Sequence, residues 1–228
     1  GQGWLLMFST EGFRGSCHGY KAAIRGVAAL PLGSSEAAWS FGKELRTPWG
    51  YAGSAEFDPV SGMVILFGGQ SRGMWVYDPT RQAIVASISD FERAKNSSNL
   101  IYDPRGDRML LIDRETLQVR MYELNRNNWE RTQESLIAVA GDKPPPFRNL
   151  AYDSRNHVIG GIADGAFHAL DLEKNAWSSH PISERSVSGQ RLGTVYHHAI
   201  DYDPVNNVFV LVSGKPPRLR TWAYRYRN

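Results

Sequence analysis

The chain has 228 residues, of which 42% are hydrophobic, so it is long enough to bury the core of one domain or of two small ones. Its 26 basic and 23 acidic residues leave a formal net charge of +3, which is too small for a dedicated nucleic-acid binder. A single cysteine, Cys17, excludes an internal disulfide framework.

The first predicted element is a strand from Trp4 to Ser9. Its apolar run is far shorter than the roughly 20 residues that cross a bilayer, so we expect no membrane span. The chain starts at Gly1 rather than at methionine, which indicates that it has been processed, trimmed or excised, and an extracellular or periplasmic location is slightly favoured. A weak strand pattern follows, in which Tyr20 precedes an apolar stretch at 27–33 and an aromatic pair at Trp39 and Phe41.

A three-residue marker, Tyr-Asp-Pro or a near copy, then returns along the chain at a regular spacing. Its aromatic residues are 45, 50 and 50 positions apart, a period that is typical of propeller blades. An apolar strand follows each marker and a second aromatic or apolar pair comes about twenty residues after it, which predicts three strands per unit. The four copies are Phe57-Asp58-Pro59, Tyr102-Asp103-Pro104, Tyr152-Asp153-Ser154 and Tyr202-Asp203-Pro204.

The marker aspartates are predicted to be structural. An aspartate caps a turn through its side chain, proline presets φ, and a following glycine or asparagine tolerates positive φ. The tips that supply this last property are Ser61-Gly62, Arg105-Gly106, Arg155-Asn156 and Asn206-Asn207. We therefore do not expect these four acids to act as general acids or metal ligands.

The pattern predicts an all-β fold, a single β-propeller domain over residues 1–228 with five four-stranded blades. The weak N-terminal unit counts as the first blade, and the predicted blades span 11–50, 51–95, 96–146, 147–192 and 193–228. The last blade lacks sequence for a fourth strand. We expect the N-terminal strand, within residues 1–10, to supply that strand and close the ring, since closure leaves no unpaired edge.

The unit resembles a kelch-type β-propeller blade over roughly residues 11 to 228. The resemblance is carried by the marker, by the Phe67-Gly68-Gly69 doublet, and by Tyr122 with Trp129 and Leu170 with Trp177 at seven-residue spacing. Kelch-type resemblance implies protein interaction or carbohydrate recognition. We accordingly expect a non-catalytic binding or assembly module, without cofactor or metal, whose partner is a protein or a glycan, or a structural subunit of a larger assembly.

The predicted binding site lies just before the markers, where the repeat stops agreeing between blades. The first strand of each propeller blade lines a central channel, and the loops that enter it form the usual binding mouth. Aromatic, arginine and amide side chains there suit stacking on a sugar and hydrogen bonding to it. The candidate residues are Arg14, His18, Tyr51, Asn96, Arg148, Tyr196, His197 and His198.

Two catalytic alternatives remain open. Tyr196-His197-His198 resembles the copper-binding tyrosine–histidine pair of copper radical oxidases related to galactose oxidase, a family that also needs a cysteine bonded to a tyrosine, for which Cys17 is the one candidate. A glycan hydrolase instead needs two carboxylates about 5 to 9.5 Å apart. Glu56 and Asp201 stand at the same strand position in different blades and are the matched pair.

The C-terminal strand interleaves basic and aromatic residues. Arginines and aromatic rings in alternation bind single-stranded nucleic acid or an acidic protein in some proteins. An amphipathic blade strand, in which arginine stems cover aromatic surface, is the interpretation that we favour. The alternating residues are Arg218, Arg220, Trp222, Tyr224 and Tyr226.

Overall fold

A computed structural model describes residues 4–9, 26–31, 40–41, 54–68, 73–88, 98–146, 149–182, 199–215 and 218–227. The elements in these ranges are β-strands, apart from one short turn of 3₁₀ helix at Trp129–Arg131. The chain divides into two compact units, of which the first is Gly1–Ser98 with Asn125–Thr132 and the second is Asn99–Leu124 with Gln133–Asn228.

The first unit contains two antiparallel sheets. One has the order β1-β2-β3, from Trp4–Ser9, Gly26–Pro31 and Ser40–Phe41. The other has the order β4-β5-β6-β7, from Ser54–Asp58, Met63–Gly68, Gly73–Asp78 and Ala83–Ile88. The 3₁₀ turn at Trp129–Arg131 packs against β7.

The second unit contains three antiparallel sheets. The first comprises β8 to β11, at Asn99–Asp103, Arg108–Ile112, Val119–Glu123 and Gln133–Ile137. The second comprises β12 to β15, at Ala151–Asp153, Val158–Ala163, Ala166–Asp171 and Ala176–Pro181. The third comprises β16 to β18, at Ala199–Asp203, Val208–Lys215 and Arg218–Tyr224. In each sheet, strands that are consecutive in sequence pair with one another.

The second strand of a complete sheet is buried on both faces. In β9 the run from Met109 to Ile112 is at most 1% exposed, although its residues point alternately to opposite faces. Both faces are therefore covered, which explains why the sequence shows a continuous apolar run rather than alternation.

Neighbouring sheets of the second unit pack face to face through two apolar clusters. The first joins the β8–β11 sheet to the β12–β15 sheet and includes Leu110, Ile159 and Trp177. The second joins the β12–β15 sheet to the β16–β18 sheet and includes Phe167 and Phe209. Strand β12 also contacts both β8 and β16, so the first strands of three successive sheets lie side by side. These stacked meanders are propeller blades.

The structure corrects the predicted number of blades. Among the described residues, four sheets begin with a strand that ends in a marker, namely β4–β7, β8–β11, β12–β15 and β16–β18, so the structure shows four blades rather than five. Tyr20, the predicted marker of the first unit, lies outside the described residues.

The predicted pairing of the N-terminal strand with the last blade is not among the strand pairings of the described residues. Strand β1 pairs with β2 over its whole length, from Trp4 opposite Pro31 to Ser9 opposite Gly26. The division of the chain into the predicted blade ranges remains a prediction.

Candidate functional site

The eight candidate mouth residues all lie outside the described residues, so the predicted site remains a prediction. Their positions in the sequence can still be related to the strands. Arg148 comes shortly before β12, and Tyr196 to His198 come directly before β16. Strand β12 contacts both β8 and β16. Arg148 and the segment from Tyr196 to His198 therefore each precede one of two neighbouring strands, β12 and β16.

The marker aspartates lie at the opposite end of the same first strands, in the turn to the second strand. Asp58, Asp103 and Asp153 are completely buried. Each accepts the N–H of the residue two positions later, at 3.1 Å in Asp58, 3.1 Å in Asp103 and 2.9 Å in Asp153. These are the side-chain turns that the sequence predicted.

Asp103 is hydrogen-bonded both within its own turn and to a side chain of the next blade. It accepts the N–H of Arg105 at 3.1 Å and of Gly106 at 3.3 Å, and Arg108 Nε donates to it at 2.8 Å. The two turn N–H groups bind Oδ1 of Asp103 and Arg108 binds Oδ2. His157 Nε2, from the next blade, lies 3.1 Å from Oδ1. Burial by itself would raise the pKa of Asp103, but these hydrogen bonds outweigh it and hold the pKa below its usual value.

Asp58 in the first unit is neutralised by an arginine that is distant in sequence. Arg126 Nε donates to one carboxylate oxygen at 2.8 Å, and a second guanidinium nitrogen donates to the other at 3.0 Å. Burial would raise the pKa of Asp58, but hydrogen bonds from Arg126 and Ser61 keep it below the usual range. The buried carboxylate is thus held as an ion by a two-pronged pair.

The pKa values of two marker tyrosines are raised by burial and by the marker aspartate of the preceding blade. Burial raises the pKa of Tyr202 to about 12, and the carboxylate of Asp153 adds to the shift. Burial, together with the carboxylate of Asp103, likewise raises the pKa of Tyr152. Both hydroxyl groups therefore stay protonated at neutral pH.

Arg105 connects its own turn with the turns of the following blade. Its guanidinium donates to Glu173 at 3.1 Å and to the carbonyl oxygens of Ser154 and Arg155 at 3.4 and 3.2 Å. All three partners belong to the following blade. The side chains of Arg105 and Glu173 are 46% and 68% exposed, so this ion pair orients the turns but contributes little stability.

Sequence reasoning placed the positive-φ residue of two turns one position too early. In those turns it is Asp107 and His157, with φ of 49° and 55°, rather than Gly106 and Asn156. The matching residues of the other turns are Gly62 and Asn207, with φ of 73° and 55°. In every marker turn the left-handed residue is therefore four positions after the aspartate, a spacing that aligning the four copies would have revealed.

The two proposed hydrolase acids lie in different compact units. Glu56 is in β4 and Asp201 is in β16, each two residues before a marker aspartate, so the shared strand position is confirmed. Asp201 is exposed, and its carboxylate accepts the N–H of Tyr202 at 2.8 Å. Hydrolysis by this pair remains a hypothesis. Cys17, on which the oxidase alternative depends, lies outside the described residues.

The C-terminal strand is an amphipathic blade strand, as the favoured interpretation holds. Tyr224 stacks on Phe167 of the preceding blade with ring centroids 4.4 Å apart, and Trp222 Nε1 donates to Ser213 Oγ at 3.0 Å. Beyond the strand, the Arg227 guanidinium lies 4.7 Å from the centre of the Tyr226 ring. The aromatic face is thus occupied by packing within the second unit.

The two tryptophans that carried part of the kelch resemblance occupy unlike positions. Trp177 lies in the outer strand β15 and is buried between blades, whereas Trp129 lies in the 3₁₀ turn of the first unit. Their equal spacing from Tyr122 and Leu170 is thus no repeated structural position. The β-propeller fold is confirmed, and the kelch type remains a prediction.

Two features are absent from the described residues, a metal-binding cluster and a helix that could cross a membrane. They contain no group of three or more His, Cys, Asp or Glu side chains arranged to hold a metal ion. They also contain no helix of the length and hydropathy that a membrane crossing requires.

The fold and the strand order define a β-propeller protein, and solved structures show the same fold. The chain is similar to the β-propeller domain of Cps50 (Swd1) from Myceliophteria thermophila, with 10% identity, a TM-score of 0.50, and coverage of 87% of this chain and 62% of that one. It is also similar to a protein of unknown function from Bacteroides thetaiotaomicron, with 12% identity, a TM-score of 0.58, and coverage of 87% and 56%.

A third similarity, to Kuenenia stuttgartiensis hydrazine synthase, has 9% identity, a TM-score of 0.48, and coverage of 87% of this chain and 52% of that chain. The chain thus spans about half to three fifths of the length of these structures. No protein-family model and no curated protein matches the sequence. At these identities the similarity shows the fold alone.

Proposed function

We propose that this chain is a non-catalytic binding or assembly module on a kelch-like β-propeller. Its partner is a protein or a carbohydrate, held at the channel mouth by the eight candidate residues or along the blade rims. The candidates combine aromatic rings with arginine, histidine and amide groups, which are the side chains that stack on sugars and anchor protein interfaces.

One observation carries the proposal. Three of the acids that recur in the blades have a structural role, since Asp58, Asp103 and Asp153 are fully buried and hydrogen-bonded within their turns. Ligand recognition is thereby left to side chains that differ between blades. The candidate mouth residues are of this kind, and for Arg148 and Tyr196 to His198, which precede β12 and β16, the contact between these two strands supports the proposal.

The carbohydrate branch is tested with oligosaccharides. A glycan array identifies ligands, and isothermal titration calorimetry then compares the wild type with a Tyr196→Ala, His197→Ala, His198→Ala triple variant. The matched control is Val205→Ala, at a residue that is 83% exposed in the aspartate turn of the same blade. Loss of binding in the triple variant alone supports the proposal. Release of new reducing ends from a bound oligosaccharide contradicts a non-catalytic role.

The protein branch is tested with a photo-reactive amino acid placed at position 197 or, as the control, at position 205. A binding mouth predicts a cross-linked protein that depends on position 197. If neither a glycan nor a cross-linked protein depends on the mouth residues, the proposed site is wrong.

A further inference from the structure

We propose that the outer edge of β18 binds an acidic, extended segment of a partner protein, which adds to the last blade as its fourth strand. This inference rests on the proposed function, because it names one kind of partner for the binding module. The binding surface is a strand edge on the blade rim rather than the channel mouth.

The other three blades show what is missing from the last one. Their third strands pair on both sides, with the second strand and with an outer fourth strand, as β10 does with β9 and β11. Strand β18 pairs with β17 from Arg218 opposite Lys215 to Tyr224 opposite Phe209. Across the ranges that the structure describes, nothing pairs with its other side. Such an edge presents backbone donors and acceptors that bind an added strand.

The charge of this edge selects the partner. The segment 218–228 contains four arginines and no aspartate or glutamate. Arg220 and Arg225 are exposed. Opposite charges on facing strands attract, and like charges facing each other repel. A strand rich in glutamate or aspartate therefore fits, whereas edge-to-edge pairing of two copies of β18 places arginine against arginine.

The edge is also held in place before binding. Trp222 donates to Ser213 at 3.0 Å, and Tyr224 stacks on Phe167 at 4.4 Å, so packing against the preceding blade fixes the strand. A rigid edge loses little conformational entropy when a strand adds to it. Most of the conformational entropy that is lost on binding is then lost by the partner segment, which becomes an ordered strand.

The test uses a fluorescent nine-residue peptide in which glutamate alternates with valine, and fluorescence anisotropy at low ionic strength measures its binding to the 228-residue chain. We expect saturable binding that weakens about fivefold in Arg220→Glu, because one favourable charge pair becomes repulsive. Arg131→Glu is the matched control, since Arg131 is exposed, carries the same charge change and lies in the other compact unit. It should bind like the wild type.

Two further measurements separate strand addition from simple charge attraction. A peptide with methyl groups on alternate backbone amides keeps its charge and should not bind, because strand pairing needs those N–H groups. Hydrogen exchange should show β18 amides that become protected only when the unmodified peptide is added. Equal binding of the methylated peptide, or full protection of β18 without peptide, overturns the inference. Either result leaves the mouth variants as an independent test of the proposed function.

Discussion

Two side chains of each marker turn vary together. Where the marker aromatic is a tyrosine, the left-handed residue is polar, as in Tyr102 with Asp107, where the hydroxyl donates at 2.8 Å. Tyr202 donates to Asn207 at the same distance. Where the aromatic is Phe57, which has no hydroxyl, the residue is Gly62, which has no side chain. The local hydrogen bond therefore forms in two of the four turns, whereas Tyr152 and His157 in the third make an edge-on ring contact with centroids 6.0 Å apart.

Replacing one partner of this pair should cost nearly as much as replacing both. Tyr202→Phe removes the hydrogen bond and is expected to destabilise the protein by about 1 kcal/mol. Asn207→Gly should also be tolerated by the backbone, because glycine adopts the φ of 55° without strain. Urea unfolding of both single variants and the double variant measures the coupling free energy. Strict additivity of the two single effects contradicts a direct interaction.

The stability of the protein should be far more sensitive to replacement of a fully buried marker aspartate than to replacement of Asp203, which is half-buried. Asp103→Asn leaves Arg108 without its ionic partner in a buried turn, so we expect a loss of about 3 kcal/mol in the free energy of unfolding. Asp203→Asn makes the same chemical change in a turn where the neighbouring groups are exposed. Chemical denaturation should show a much smaller change there. Equal shifts in the two midpoints would mean that the contact between blades at Asp103 adds nothing.

At the scale of the strand, one glycine fixes how closely two blades approach. Gly160 lies in β13, and a methyl group there would come within 2.8 Å of a ring carbon of Phe167 and 3.0 Å of one of Phe209. Both rings belong to the cluster between the last two blades. Gly160 is therefore needed for close packing in the middle of β13, which runs from Val158 to Ala163.

Gly160→Ala is expected to destabilise the protein by about 1 to 3 kcal/mol, as overpacking of a buried site does. Thermal unfolding followed by near-ultraviolet circular dichroism measures the loss. Phe167→Leu removes part of the opposing ring, so the double variant should recover some of the stability that Gly160→Ala loses. A double variant that loses the sum of both effects would show that the steric explanation is wrong.

The strands and turns were largely predictable, and the partners of the strands were less so. An Asp-Pro turn is a local structure, so five or six residues specify it. The contact of His157 with Asp103 depends on how two blades stack, and a repeat pattern in one chain does not reveal cross-blade neighbours. The pairing of β1 with β2 was not predictable from the hydrophobic pattern, because alternation indicates which face of a strand is buried but not which strand lies beside it.

At the scale of the whole molecule, stability should fall in two stages as the pH falls. Burial lowers the pKa of His168, whose ring lies 2.8 Å from Ser179 and 3.1 Å from the carbonyl oxygen of Ala163. The unfolded chain then takes up this proton near the usual pKa of 6.5 while the folded chain resists it, so stability declines below that pH.

The buried carboxylates of Asp58 and Asp103 affect the free energy of unfolding at lower pH than His168 does. The pKa values of Asp58 and Asp103 are held below 3.8 in the folded protein, so their contribution is present above that pH and is lost as the pH falls through the folded values. Denaturant titrations between pH 7 and pH 3 should show that the free energy of unfolding declines first gradually and then steeply as the pH falls. His168→Gln should remove the shallow stage and keep the steep one. An unchanged slope between pH 6.5 and pH 5 in that variant contradicts the assignment.

The marker turns also give the chain a chemical property that is separate from its folding. Four aspartates precede proline, at Asp58, Asp78, Asp103 and Asp203, and aspartyl–prolyl bonds are the peptide bonds that hydrolyse most readily in dilute acid. Cleavage requires the carboxyl group to attack its own carbonyl carbon, which a side chain locked onto turn amides does not do. The rate of scission at each bond therefore reports the opening of its own turn, and one mass spectrum of the fragments compares turns from three of the blades, since Asp153 precedes serine.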